Sequence, residues 1–273
     1  MRVLVINLDR SPERLAEFRA EAQRCGLDFE RLVAIDATKL EASEVAAVVD
    51  PNFRFQPMGR GEIAIFLSHR QAWRIASTGP GRWTAIMEDD VRLADDVVRL
   101  LETIEATDPS TGVIRLETTL RRVVIDDDSV PLTPGRSLHR MRSWHGGMAA
   151  YVIRKECAAE LLARSQRISD PLDQWLFNPL SPVFDTLSIG QVVPGAAAQA
   201  VLLDPQSAGA AAVSTSGRRP TSDGPWLRTR HGLAIDMRRL AMRLLEWAGR
   251  IGIRCRSGRS YRFIPFVRST GAR

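Results

Sequence analysis

The run Val3-Leu4-Val5-Ile6 is apolar at every position rather than at every second one. Side chains of a strand alternate between the two faces of a sheet, so a strand with this pattern is buried on both faces. The next segment reads as a helix able to cover such a sheet. Ser11 suits an N-cap, Pro12 the first helical position and Glu13 the positive helix start. Leu15, Phe18 and Ala22 recur at helical spacing, and Gly26 ends the pattern. The alternation then continues. A strand is expected near Phe29–Ile35, then a longer helix after Gly59-Arg60-Gly61 through Ile63, Leu67, Ala72, Trp73 and Ile75. A strand at Trp83–Met87, a helix over Leu93–Ile104 and a strand at Val113–Leu116 follow. Strand and helix in turn predict an α/β sandwich with a mainly parallel sheet.

The middle of the chain is less regular. Val123–Ile125 reads as a strand, Asp126-Asp127-Asp128 as a turn, Met148–Ile153 as a strand and Lys155–Arg164 as a helix. Asp170 opens a short helix through Trp175 and Phe177, and residues 184–203 hold one or two strands. From Asp204 onward Ser, Gly, Pro and Arg dominate, which places a folded domain at 1–205 and a tail at 206–273. The formal charge of +6 divides at the same point. Residues 1–205 carry 24 basic against 29 acidic side chains, whereas 206–273 carry 14 Arg against 3 acids. The basic character belongs to the tail. No apolar run approaches the roughly 20 residues needed to span a bilayer, and Val3–Ile6 is too short for a signal peptide. Cys25, Cys157 and Cys255 are widely spaced with no CxxC pair, which predicts reduced thiols and a cytoplasmic protein rather than a disulfide framework or zinc site.

Four polar clusters interrupt this scaffold. Glu88-Asp89-Asp90 follows directly on a buried strand, and ligands of open α/β sheets bind beyond the carboxyl ends of strands. Carboxylates there can hold a hard divalent cation against a diphosphate; the alternative is a solvated strand end that caps the next helix. Ser68-His69-Arg70 breaks an apolar helical stretch, either as part of a nucleotide pocket or as a buried, satisfied histidine. Trp144-His145-Gly146-Gly147 offers close backbone approach and an aromatic face for a sugar, or is an ordinary loop. Asp173 stands in the first turn of a short helix, where it could act as a general base or simply favour the helix start.

In order along the chain, these clusters resemble glycosyltransferase family 25, the bacterial lipopolysaccharide and collagen-type galactosyltransferases. The matching pieces are VINLDRSPERL, GRGEIAIFLSHRQAW, AIMEDDV, GGMAAYVIRKECAAELL and PLDQWLF. They cover residues 1–205 and leave the tail unexplained. The resemblance implies a GT-A type fold and inverting transfer from a nucleotide sugar. It makes Glu88-Asp89-Asp90 the counterpart of the family's metal-binding acidic motif, with Asp90 and then Glu88 as ligands of Mn²⁺ or Mg²⁺. Asp89 would touch the ribose. Asn7, Asp9, Arg10, Glu62, Ser68, His69 and Arg70 would form the donor pocket for a UDP-sugar. Trp144, His145, Gly146 and Gly147 would serve the sugar or acceptor, and Asp173 would be the base. Family members often carry Gly-Cys where this chain has Ala64-Ile65, and Gly-Thr where it has Gly146-Gly147; the second change removes a hydroxyl from the acceptor side and so bears on sugar recognition.

Two rival functions remain at this level. A sugar nucleotidyltransferase of the same architecture needs a glycine-rich first loop, and Asn7–Pro12 has no glycine. A non-catalytic glycan- or nucleotide-binding relative is opposed by the retained Glu88, Asp90 and Asp173. In the tail, Leu233, Met237, Leu240, Leu244 and Trp247 recur at helical spacing among Arg238, Arg239 and Arg243. Such a helix fits an anionic membrane surface, and so a peripheral enzyme on the inner face of the membrane near a glycolipid acceptor. The alternative is a helix packed on the folded domain. No specific nucleic-acid partner is expected.

Overall fold

The computed structural model describes residues 1–204, 237, 240, 244 and 258–269. Its first half runs β1 (Arg2–Asn7), α1 (Pro12–Cys25), β2 (Glu30–Val33), α2 (Ala42–Val48), α3 (Arg60–Thr78), β3 (Trp83–Glu88), β4 (Val91–Leu93), α4 (Val97–Thr107) and β5 (Val113–Arg115). Then come β6 (Arg122–Pro131), β7 (Ser137–Met141), β8 (Ala150–Arg154), α5 (Lys155–Arg164), α6 (Leu172–Phe177), α7 (Phe184–Leu187), β9 (Ile189–Val193), β10 (Ala197–Gln199), α8 (Ala200–Leu203) and β11 (Arg259–Phe263).

The doubly apolar strands divide their side chains by parity. Val3 and Val5 of β1 enter one core, whereas Leu4 and Ile6 enter the other. β3 and β8 do the same: Ala85, Met87, Ala150 and Val152 face the first core, and Ile86, Tyr151 and Ile153 the second. Phe18 of α1 and Leu100 of α4 close the first face. Phe66 of α3, Leu161 of α5 and Leu176 of α6 close the second. The result is the expected α/β fold between two helical layers, but the sheet is mixed rather than mainly parallel. Among the described strands three neighbouring pairs are parallel and five antiparallel, because β6, β7 and β8 run against their neighbours. Among the described residues the sheet has nine strands in the order β11-β6-β7-β9-β5-β8-β3-β1-β2. β1 lies parallel to both β2 and β3. α1, which follows β1, and α3, which precedes β3, cover opposite faces, so the carboxyl ends of β1 and β3 border the crevice of a topological switch point.

Several local expectations differ from the fold. Ser11 holds the cap position of α1 but makes no side-chain capping bond; Asn7 Nδ2 instead donates to the Ser11 carbonyl at 3.0 Å. The helix expected from Leu93 begins only at Val97, because residues 91–93 form β4 and pair antiparallel with β10. Asp126–Asp128 is not a turn. β6 runs through it with a register shift between Ile125 and Ser129, and Asp126 is tied to the Arg142 guanidinium at 2.8 Å and Arg259 at 3.3 Å.

The boundary expected at residue 205 does not enclose the whole sheet. β11 pairs antiparallel with β6, Arg259 opposite Asp126 through Phe263 opposite Arg122. Ile264 is buried beside Val123 and Ile125, the Asp95 amide donates to the Arg268 carbonyl at 2.7 Å, and Arg268 Nη2 reaches Glu21 at 3.2 Å. Short-period alternation in Arg259–Phe263 is masked in the sequence by the density of Arg around it. Met237, Leu240 and Leu244 are helical and exposed. The rest of the helix expected at 233–248, and Cys255, lie outside the described residues; Cys25 and Cys157 are free thiols.

Candidate active site

A cleft opens beyond β1 and β3, with Arg10, Arg14, Ser68, His69, Glu88 and Asp89 on its wall. Ala34, Ile35 and Ala37, just past β2, give it an apolar side. Asn7 at the end of β1 is the tie beneath it. Its Nδ2 donates to Asp89 Oδ2 at 2.6 Å, and its Oδ1 accepts from Arg31 Nε at 2.9 Å. Asp89 also pairs with the Arg14 guanidinium, which reaches Asp90 Oδ2 at 3.3 Å. Burial pushes the Asp89 carboxyl up against the opposing pull of Arg14 and Asn7. Asp90 is pushed up to about 7, by burial first and by neighbouring Glu88 second. Its Oδ2 accepts from Gln199 Nε2 at 3.4 Å, while Oδ1 is shut off from solvent with no partner.

His69 forms a chain rather than a free base. Trp73 Nε1 donates to the Tyr151 hydroxyl at 2.8 Å, and that hydroxyl meets His69 Nδ1 at 2.9 Å. With the Tyr151 oxygen already accepting, its proton goes to Nδ1, and the Nε2 proton faces Glu88 Oε1 at 3.4 Å. Ser68 is a local tie: its Oγ donates to the Ala64 carbonyl at 2.7 Å and accepts the Ile35 amide at 2.9 Å.

Other residues expected in the donor pocket have different partners. Asp9 is exposed and pairs with Arg31 at 2.6 Å. Glu62 caps the start of α3 by accepting the Gly59 amide at 2.7 Å. Arg70 keeps a buried Nε with no partner, and burial lowers its pKa. None of the three is on the cleft wall. Arg10 is, and pairs with Asp36 at 2.9 Å.

A second group lies beneath the loop at 144–147. His145 is buried; Thr119 N donates to its Nε2 at 3.3 Å, so Nδ1 carries the proton to Gln191 Oε1 at 3.1 Å. Burial, then Arg115, lowers its pKa to about 2. Its ring is thus a neutral brace with both nitrogens engaged. Trp144 lies with ring carbons 3.2 Å from where a Gly146 Cβ would stand. Asp173 Oδ1 accepts the Gln174 amide at 2.8 Å, and burial raises its pKa against the Gln174 and Gly147 amides and Arg115. Gly147 has φ +88, and a Cβ there would fall 2.8 Å from both oxygens of Glu117. Glu117 is fully enclosed, accepts the Ala149 amide at 2.8 Å and is pushed up to about 7 by burial.

Arg14, Arg115 and Glu117 were not among the expected site residues. Arg115-Leu116-Glu117 carried a usable signal: two charges at i and i+2 at the end of an apolar strand point to one face. Among the described residues, no three His, Cys, Asp or Glu side chains are grouped to enclose a metal ion.

The sequence profile of glycosyltransferase family 25 (LPS biosynthesis protein) matches residues 1–176, well over half of the chain. The chain belongs to glycosyltransferase family 25. It is 30% identical over 166 residues to the lacto-N-neotetraose biosynthesis glycosyltransferase LgtE of Neisseria meningitidis, a match that covers 59% of each chain. It is 27% identical over 211 residues to the lipooligosaccharide biosynthesis protein lic2B of Haemophilus influenzae, covering 74% of this chain and 77% of that one. Among solved structures, the inositol-1-phosphate CTP transferase from T. maritima aligns over 73% of this chain and 89% of its own, at 11% identity and a TM-score of 0.38. The family blocks supply Arg10, Ser68, His69, Glu88 and Asp89 of the cleft wall, whereas Asp90, Trp144, His145, Gly146, Gly147 and Asp173 do not line it.

Proposed function

We propose that this family 25 glycosyltransferase is an inverting hexosyltransferase that moves a sugar, galactose foremost, from a UDP-sugar to a hydroxyl of a cell-surface glycan such as lipopolysaccharide core. The observation that carries the reading is the meeting of Arg10 and Arg14 with Glu88 and Asp89 in one cleft at the switch point. Two guanidiniums beside the strand ends suit a diphosphate, and the apolar Ala34–Ala37 side suits a nucleobase.

The residues also fit a divalent cation. Asp90 offers a buried oxygen without a partner, and Glu88 stands beside it; Asp89 is already committed to Asn7 and Arg14. Hard oxygen donors in this number suit Mg²⁺ or Mn²⁺, which take one or two carboxylates and complete their shell with phosphate and water. Bound there, the cation would offset charge on the departing diphosphate. Asn7 and His69 orient the carboxylates from behind. Asp173 takes the proton of the acceptor hydroxyl as its oxygen attacks the anomeric carbon. The bond to the diphosphate breaks, and its electron pair leaves with UDP. One such in-line displacement inverts the anomeric centre.

The exposed Met237, Leu240 and Leu244, in a segment rich in Arg, would rest on an anionic bilayer and bring the cleft to a lipid-linked acceptor. No helix among the described residues is long and apolar enough to cross a membrane.

The test is a screen of nucleotide sugars with Mn²⁺, reading release of nucleoside diphosphate and binding by calorimetry. UDP-galactose should give the strongest signal. Failure to hydrolyse, transfer or bind any nucleotide sugar would sink the proposal.

A further inference from the structure

Arg115 lies between Ile114 and Leu116 on the central part of the sheet and is 1% exposed. Burying a guanidinium costs several kcal/mol unless charge and hydrogen bonds compensate. Here the compensation is directed at the loop beside Asp173. Arg115 Nη1 donates to the His145 carbonyl, Nη2 donates to the Gly146 carbonyl at 2.9 Å, and the guanidinium lies 4.3 Å over the Phe177 ring. Nη2 is 3.6 Å from Glu117 Oε2. A Cβ on Gly146 would stand 3.3 Å from Asp173 Oδ2, and one on Gly147 would stand 2.8 Å from Glu117. Two glycines therefore pass between the enclosed Glu117 carboxyl and the half-buried Asp173 carboxyl, and the guanidinium acts on both.

We propose that Arg115 is a positioning residue: it clamps the 145–147 loop through two carbonyls and so holds Gly146, and its own positive charge, beside the Asp173 carboxylate. The inference rests on the reading of Asp173 as the base. The guanidinium serves two acids. Glu117 is paired with it at 3.6 Å, and burial holds that carboxyl toward its protonated form against the pull of Arg115; Asp173 is the second acid on which the guanidinium acts. His145 is neutral and adds no charge. Among the groups that favour the Asp173 carboxylate, the amides of Gln174 and Gly147 come first, Arg115 next, and the amide of Asp173 itself last.

The test uses the full chain and Arg115→Met, Arg115→Lys and the double variant Arg115→Met/Glu117→Gln. The double variant removes the Glu117 carboxyl together with the guanidinium 3.6 Å from it, so it serves where the single change does not fold. With UDP-galactose and Mn²⁺, loss of the guanidinium should move the acid limb of the kcat profile upward by about one pH unit, a tenfold loss on that limb, with the donor KM little changed. Lysine should restore part of the shift. A second measurement needs no turnover. In protein labelled with ¹³C-aspartate, the Asp173 carboxyl resonance, assigned by its loss in Asp173→Asn, should titrate about one unit higher in the double variant. An unmoved titration in folded protein overturns the inference. Wild-type turnover by Asp173→Asn would overturn the base reading instead, and leave the NMR result to judge Arg115.

Discussion

The enclosure of Glu117 leads to a stability measurement that does not depend on knowing the substrate. Its carboxyl is pushed up from 4.5 to about 7. The folded chain therefore holds the proton that the unfolded chain releases near 4.5. Below that pH both states are protonated and this group's contribution to stability is fully present. As pH rises toward 7 the unfolded state ionises first and stability falls; above about 7 the loss is complete. At about 1.4 kcal/mol per pH unit, the interval corresponds to about 3 kcal/mol. Glu117→Gln keeps the shape and an oxygen for the Ala149 amide but has no proton to lose. Its unfolding free energy, relative to the parent protein, should rise by about 3 kcal/mol between pH 4.5 and 8. Urea unfolding followed by tryptophan fluorescence at several pH values reads this directly. Parallel pH dependence in the two proteins would refute the buried, proton-holding state of Glu117.

Other changes probe the remaining parts. Asp90→Ala removes the oxygen without a partner beside Glu88; UDP binding in Mn²⁺ should weaken at least tenfold and UDP release should be lost, whereas full turnover would discredit its ligand role. Asp173→Asn should leave UDP binding intact and lower kcat by about 10²–10⁴-fold, the usual worth of a general base. Gly147→Ala forces a β-carbon into φ +88 and against Glu117, so it should cost at least about 1–2 kcal/mol, visible as a lower Tm. Met237→Ser, Leu240→Ser and Leu244→Ser together should release the protein from anionic vesicles in flotation, while UDP binding stays as it was; undiminished flotation would remove these residues from the membrane reading.

What the sequence made legible was whatever repeats locally. The doubly apolar β1 and the spacing of Phe18 and Ala22 required a sheet covered on both faces, and the helix expected at Lys155–Arg164 forms with those bounds. β11 and β4 escaped notice because a five-residue and a three-residue strand give too little period to stand out, β11 amid many Arg. The site divided along the same line. Its cleft wall came from short blocks whose polarity breaks an apolar element, as at Glu88-Asp89 and Ser68-His69. Glu62 and Asp9 share that local signature, yet one caps a helix and the other pairs with Arg31, since charge near a strand or helix end serves structure as readily as ligand.

Arg14, Arg115 and Glu117 mark the opposite case. Each acquires its meaning from a partner far along the chain: Arg14 from Asp89 and Asp90, Arg115 from Gly146 and Asp173, Glu117 from Gly147 and Ala149. The departure at Gly147 gains its physical sense only here. A threonine at that position, the residue that the family resemblance leads one to expect, would put its Cβ 2.8 Å from the Glu117 carboxyl in this backbone, so glycine fits beside the buried acid where threonine does not. Restoring the hydroxyl therefore requires moving Glu117 as well. The single change Gly147→Thr should lose stability, and pairing it with Glu117→Ala, which clears the space, should recover part of that loss. Additive losses in the double variant would show that the two positions are independent and that the contact does not govern which residue can stand at 147.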